Sequence, residues 1–209
     1  MLMGAGLKRA EHKRSEIVAA ARTQFLLEGY RDAGMEVVAR AASVSTATLY
    51  AYFPGKADLF KVVVLETARD IAAPVRESVL TRGDARTRLL AFANAYAGFM
   101  TRPVTRAMFR LVTAERRRFD EVADHFLQGA RDELGGAAIA VIGDLVQTGE
   151  IVVEKPSWAA GQLMGMIDHA TLVLGLTAGD ETLPSRPLSD ICDDAVDTFL
   201  ARYGVRATK

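Results

Sequence analysis

The chain has 209 residues, half of them hydrophobic, which is enough apolar side chain to bury a core in one large domain or two small ones and excludes a disordered polyelectrolyte. Net charge is zero but uneven: residues 1–61 carry nine Lys or Arg against six Asp or Glu, and residues 62–209 carry seventeen against twenty. The single cysteine, Cys192, excludes an internal disulfide and a cysteine-based zinc site and is consistent with a reducing cytosol, and the opening MLMGAGLKRAEHKR has no cleavable apolar core of an export signal.

Residues 1–13 read as a mobile basic arm, with Lys8, Arg9, Lys13 and Arg14 available to a polyanion. Ser15 is placed to cap a first helix whose apolar residues Ile17, Ala20, Ala21 and Phe25 recur at three and four, and Gly29 suits its left-handed end. A second short helix covers about Met35 to Ala42, with Met35, Val38, Ala39 and Ala42 inward. After a tight turn comes a third, in VSTATLYAYFPGKADLF. Val44, Leu49 and Phe53 lie on one side of it, which leaves Thr46, Ala47, Tyr50 and Ala51 facing outward. A small, hydroxylic, acid-free surface of this kind suits a helix laid into a major groove.

Three blocks carry a family resemblance: Arg14-x-x-Ile17-x-x-Ala20-Ala21-x-x-x-Phe25-x-x-x-Gly29-Tyr30, then Val38-Ala39-x-Ala41-Ala42-x-Val44-Ser45, then Thr48-Leu49-Tyr50-x-Tyr52-Phe53-x-x-Lys56-x-x-Leu59-Phe60. Together they resemble the helix-turn-helix head of the TetR/AcrR family of one-component transcriptional regulators. The resemblance implies an all-α fold, with a three-helix DNA-binding head and a six-helix ligand-binding and dimerisation domain. It assigns residues 14–61 to the head, with the helix-turn-helix at about 34–53, and 62–209 to the effector and dimer domain. It further implies phosphate contacts from Tyr52 and Lys56, a place for Thr48 on the reading helix, and a double-stranded DNA operator as partner.

The chain departs from the family pattern at three positions. Gly34 stands where relatives place a capping Ser or Thr, so a phosphate there is left to backbone amides at Gly34 and Met35. Ser43 replaces the usual turn glycine and must tolerate or avoid positive φ, and Ala47 replaces a common glycine. With no Arg or Asn on the outward face, specificity is expected from methyl and hydroxyl contacts, the basic arm and DNA shape.

Pro54-Gly55 ends the third helix, and the next runs from about Ala57 to Thr81 with Pro74 inside it, where a kink or an end is expected. Helices follow over Asp84 to Thr101, from Pro103 through Met108, Phe109, Leu111 and Val112, and over Phe119 to Val146, closed by Gly149. Glu150 to Pro156 reads as an extended connector, Ser157 as the cap of an apolar helix Ala159 to Leu176, and Gly179 to Pro187 as a loop before a last helix, Leu188 to Arg202. The apolar run Gly161 to Gly179 has Asp168 and His169 at its middle, and an Asp in lipid costs roughly 2.5–3.5 kcal/mol, so it reads as a buried helix of a bundle rather than a membrane span.

An effector cavity would draw walls from Phe92, Tyr96, Phe99, Met100, Met108, Phe109, Phe126, Met164 and His169, with Asn94, His125, Asp168 and His169 to orient a ligand. Aromatic and Met residues at this spacing also serve as plain core. Adjacent Asp168 and His169 diverge by about 100° and form no chelate, no nucleophile stands in a motif, and neither a metal, a cofactor nor catalysis is expected. Cys192 beside Asp193 and Asp194 has a disfavoured thiolate. Arg116, Arg117 and Arg118 read first as compensation for a helix dipole rather than as a second DNA patch. The apolar helix 159–176, together with Ile191, Ala195, Val196, Phe199 and Leu200 of helix 188–202, calls for cover from a second copy in a twofold four-helix interface, the arrangement the family uses. The expectation is a cytoplasmic, homodimeric, ligand-responsive regulator, a repressor released by a small apolar effector. Its rival is a helical carrier or enzyme with a vestigial head.

Overall fold

The computed structural model describes the backbone of residues 3–205 and the side chains of 8–205. Among the described residues the secondary structure is helical apart from one isolated antiparallel bridge, Ile151 to Gly204. The chain divides into two compact units, residues 1–68 with 108–126, and residues 69–107 with 127–209. A cut at residue 61 does not anticipate that residues 108–126 return to the first unit.

The first unit starts with α1 (Met3–Asp32), interrupted at Gly29, whose φ of 75° ends its regular part as the glycine predicts. The expected mobile arm is helical from Met3, because its Ala, Lys, Arg and Glu residues favour helix and no proline interrupts them. Residues 1 and 2 of that arm lie outside the described residues. Ser15 therefore sits inside α1 and does not cap it. Helices α2 (Met35–Ala41) and α3 (Thr46–Tyr52) follow, and α4 (Lys56–Ser78) begins in this unit. Ile17, Val18, Ala21, Phe25, Leu49, Leu59, Phe60 and Val63 form the core, joined by Met108, Leu111, Val112, Val122 and Phe126. Phe60 meets Phe25 edge-on at 5.3 Å, and Tyr30 meets Phe119 edge-on at 4.7 Å, so residues remote in sequence share one aromatic cluster.

In the second unit α4 continues through Pro74 and ends one turn later at Ser78. Asp84 caps α5 (Ala85–Thr101) by accepting the Thr87 N–H at 2.8 Å. Helix α6 (Pro103–Glu115) starts on a proline whose missing N–H costs nothing there, and from Met108 onward it belongs to the first unit. Helices α7 (Asp120–Ala130), which belongs to the first unit as far as Phe126, and α8 (Gly136–Gln147) fill the span expected as one helix, joined by a π turn over Arg131–Gly135. Helix α9 (Pro156–Asp168), a second π turn (His169–Val173) and α10 (Leu174–Ala178) replace the expected unbroken apolar helix. Pro156 opens α9, so Ser157 lies in its first turn and caps nothing. Helix α11 (Leu188–Tyr203) closes the chain.

Ile191, Ala195, Val196 and Phe199 of α11 are buried in this unit's own core. They are not the uncovered stripe that their apolarity suggested, because α11 packs its apolar side on α5. What stays open is on the other helix: Trp158, 68% exposed, with Val173 and Leu174 about half exposed. At Leu174 runs a groove of about 210 Å³ lined also by Met166, Ala170, Ile191 and Ala195.

Candidate nucleic-acid interface

The turn between α2 and α3 is closed by its own backbone. Val44 N–H donates to Ala39 C=O at 3.0 Å and Ser43 N–H to Arg40 C=O at 3.1 Å, the paired bonds that end a helix on a left-handed residue. Ser43 supplies that residue, at φ 54°, and is the non-glycine with positive φ among the described residues. Val44, next along, packs against the core, which holds the turn despite the strain. Ser45 then caps α3: its Oγ accepts the Thr48 N–H at 3.1 Å and lies 2.8 Å from Thr48 Oγ1. Sequence reasoning missed this cap, although a serine three residues before a threonine at a helix start is its signal. Thr48 is thereby engaged in holding the helix start.

Leu49 and Phe53 anchor α3 from below, both buried, while Thr46, Ala47, Tyr50 and Ala51 are exposed, Tyr50 by 48%. The outward face expected from helical spacing is therefore the face on the surface. Tyr52 is half-buried against the core, as is Met35. Gly34 is the N-cap of α2 in extended conformation with no side-chain bond, and exposed Glu36 in that first turn opposes an incoming phosphate.

Two cations expected to be free for phosphate are engaged within the unit. Arg14 Nη1 donates to Glu66 Oε1 at 2.8 Å, and its guanidinium lies 5.6 Å from the Phe53 ring centre. Lys56 Nζ donates to the Arg31 carbonyl at 2.9 Å and sits 5.0 Å from the Tyr30 ring centre. Partial burial lowers the Lys56 pKa, helped by Arg118 and opposed by Asp32 and Glu115. Replacing Lys56 consequently perturbs packing as well as charge, contrary to its reading as a free surface contact.

The residues expected to wall an effector cavity do not gather within either unit. Phe92, Tyr96, Phe99 and Met100 are buried in the second unit, whereas Met108 and Phe126 are buried in the first, with Phe109 edge-on to Phe126 at 5.3 Å. Met164 is half-buried on α9. His125 and His169 are exposed, because the inward stripes of their helices run through Val122, Ala123 and Phe126, and through Leu163 and Ile167. His125 Nδ1 lies 2.6 Å from its own helix's Glu121 carbonyl, and exposed Asn94 donates back to Leu90 C=O at 2.8 Å. Tyr96 and Asp168 do come together, the phenol donating to Asp168 Oδ1 at 2.7 Å. Burial pushes both groups up, and the hydrogen bond opposes the shift on Asp168. Cys192 is pushed up to about 11, by burial first and Asp193 second. Among the described residues no cluster of three or more His, Cys, Asp or Glu is placed to hold a metal, and no helix is long and apolar enough to cross a membrane.

Residues 17–63 match the model of bacterial regulatory proteins of the tetR family. Residues 87–205, more than half of the chain, match the C-terminal domain of AefR-like transcriptional repressors. The chain belongs to the TetR family. It is a DNA-binding transcriptional regulator, and its all-α fold is that of the family. The HTH-type transcriptional activator FasR of Mycolicibacterium smegmatis is 32% identical over 90 residues, which are 43% of this chain and 41% of FasR, so less than half of that relative's length is matched. A solved structure assigned to the TetR family, from Mesorhizobium loti MAFF303099, is 25% identical with TM-score 0.87, covering 94% of this chain and 99% of that one. The flavonoid-responsive regulator FrrA shares the fold at 23% identity and TM-score 0.74, covering 94% and 100%. This TetR-family head keeps a glycine's backbone geometry at Ser43 with a serine.

Sequence reasoning also missed Arg106, 1% exposed in the first turn of α6. Its guanidinium donates to the carbonyls of Thr171 at 2.7 Å, Asp180 at 2.8 Å and Thr182 at 2.5 Å. No local pattern marks it, since an arginine in an amphipathic helix reads as surface.

Proposed function

We propose that this TetR-family regulator is a homodimeric repressor that lays α3 of each protomer into successive major grooves of a palindromic operator, the two separated by about 34 Å. The observation that carries the reading is the face of α3. Thr46, Ala47, Tyr50 and Ala51 stand exposed on a helix locked by the Ser45 cap and by buried Leu49. Gly34 and Met35 offer backbone amides beside it, and Tyr52, Arg14 and Lys56 flank it. Phosphate contact from Arg14 or Lys56 requires exchange of the bonds to Glu66 and the Arg31 carbonyl.

Dimerisation through α9 to α11 is supported by the uncovered apolar surface at Trp158, Val173 and Leu174 and by the groove between α9 and α11. A small, largely apolar effector in the second unit would find the Tyr96–Asp168 pair as its polar anchor beside buried Phe92 and Phe99. Its differential affinity for two conformations would release DNA, a coupling of about 1–3 kcal/mol on the ordinary scale. The protein would act where the chromosome is, in the cytoplasm.

Retention of promoter fragments by the full-length protein in a gel shift, repeated at rising salt, tests the reading. A fragment retained specifically by the wild type and not by T46A/Y50A supports it. No retention of any fragment, or undiminished retention by T46A/Y50A, refutes it.

A further inference from the structure

Arg116, Arg117 and Arg118 form the turn between α6 and α7, and all three are exposed. The turn belongs to the first compact unit, although the chain left that unit at Ala68 and re-enters it only at Met108. Arg118 is committed to packing: its guanidinium carbon lies 4.8 Å from the Tyr30 ring centre and 5.6 Å from that of Phe119. The same Tyr30 ring carries Lys56, so the arginine turn lies beside the first turn of α4. Among the described residues, Arg116 and Arg117 make no side-chain hydrogen bond or ion pair, and their charge is unspent.

Compensation of the α6 dipole is an insufficient reason for three cations. It is worth about 0.3–1 kcal/mol and fades beyond the last turn, and the last turn of α6 holds Glu115 and no basic residue. Lys56 and Arg118 against the one Tyr30 ring repel each other, a repulsion that Asp32 and Glu115 offset in part, whereas among the described residues Arg116 and Arg117 have no such partner. Glu115, Asp120 and Glu121 border the turn, so it is a local grip and not a broad positive field.

We propose that Arg116 and Arg117 hold the sugar-phosphate backbone of duplex DNA beside the groove that α3 enters, which makes the 116–118 turn a second DNA contact. The inference rests on the proposed placement of α3. Planar guanidinium forks match phosphate oxygens in pairs, and phosphate contacts fix register without reading sequence. The turn therefore adds affinity to operator and non-operator duplex alike, and α3 supplies the preference between them.

The test is R116Q/R117Q in the full-length protein, with fluorescence anisotropy on the best-retained promoter duplex and on a scrambled duplex of equal length, from about 50 to 200 mM KCl. Each lost phosphate contact should flatten the slope of log affinity against log salt by about 1, so about 2 per head and about 4 for a twofold pair. Both duplexes should weaken by a similar factor, R116K/R117K should restore most of the slope, and the melting temperature should stay near that of the wild type. Unchanged slope with unchanged affinity overturns the inference, and so does weakened binding at unchanged slope, which would mark a structural role. A wild type that retains no duplex overturns the proposed function with it, whereas T46A/Y50A losing operator preference while R116Q/R117Q loses nothing overturns this inference alone.

Discussion

Replacing Gly175 with alanine places a methyl carbon 2.1 Å from Arg106 Cζ and 2.2 Å from Nε, so the guanidinium must leave the notch it occupies. In an ordinary helix the same change stabilises by about 1 kcal/mol. Here it breaks the bonds from Arg106 to the Thr171, Asp180 and Thr182 carbonyls and strands a cation that is 1% exposed. Removing the partners of a buried charge costs about 3–5 kcal/mol, which leaves a net loss of about 2–4 kcal/mol after the helix gain. At about 2–4 °C per kcal/mol for a chain of this size, melting should fall by roughly 5–15 °C. Urea and thermal unfolding at fixed protomer concentration read the effect, since association would otherwise shift the midpoint. Gly143→Ala is the control: that glycine lies within α8 and an added Cβ meets nothing within 4 Å, so it should stabilise slightly. Recovery in R106M/G175A would confirm that the guanidinium is the obstacle. A G175A protein as stable as the wild type refutes the notch.

Ser43→Gly should relieve the positive φ at the turn and raise stability by about 0.5–1 kcal/mol, part of the gain being returned through the freer unfolded chain. A lower melting temperature in S43G would contradict that account. Burial raises the folded-state pKa of Asp168 above its ordinary 3.8, against the opposing Tyr96 hydrogen bond, so the folded state holds this proton longer than the unfolded one. Its contribution is complete below pH 3.8 and is lost as pH rises through the folded value. The wild-type urea midpoint should therefore decline relative to that of D168N as pH increases from about 4 to 7, and parallel profiles would refute the assignment.

In the head, the inward and outward faces of α3 were legible in the sequence to the level of single side chains. Leu49 and Phe53 point inward and Thr46 and Tyr50 outward because a seven-residue helix with one apolar stripe has one way to lie on a core. Gly29 and Pro103 fixed helix ends for equally local reasons. The second half was legible in its helices and not in its sites. His125 and His169 sit among apolar neighbours in sequence, yet each occupies the outer side of its helix, and adjacency along a chain carries no information about which side that is. Lys56 and Arg14 read as free cations because their partners, the Arg31 carbonyl and Glu66, lie 25 and 52 residues away.

What the amino-acid order determined alone was the helical plan, the capping glycines and prolines, and the outward face of α3, since periodicity and backbone preference act over a few residues. Only the tertiary structure decided which chain segments share a core. It returned Met108 to Phe126 to the first unit, set Arg118 and Lys56 against one tyrosine ring, and passed Arg106 through the notch at Gly175. Burial and pairing energies depend on whichever groups arrive from elsewhere in the chain, and a local pattern does not name them.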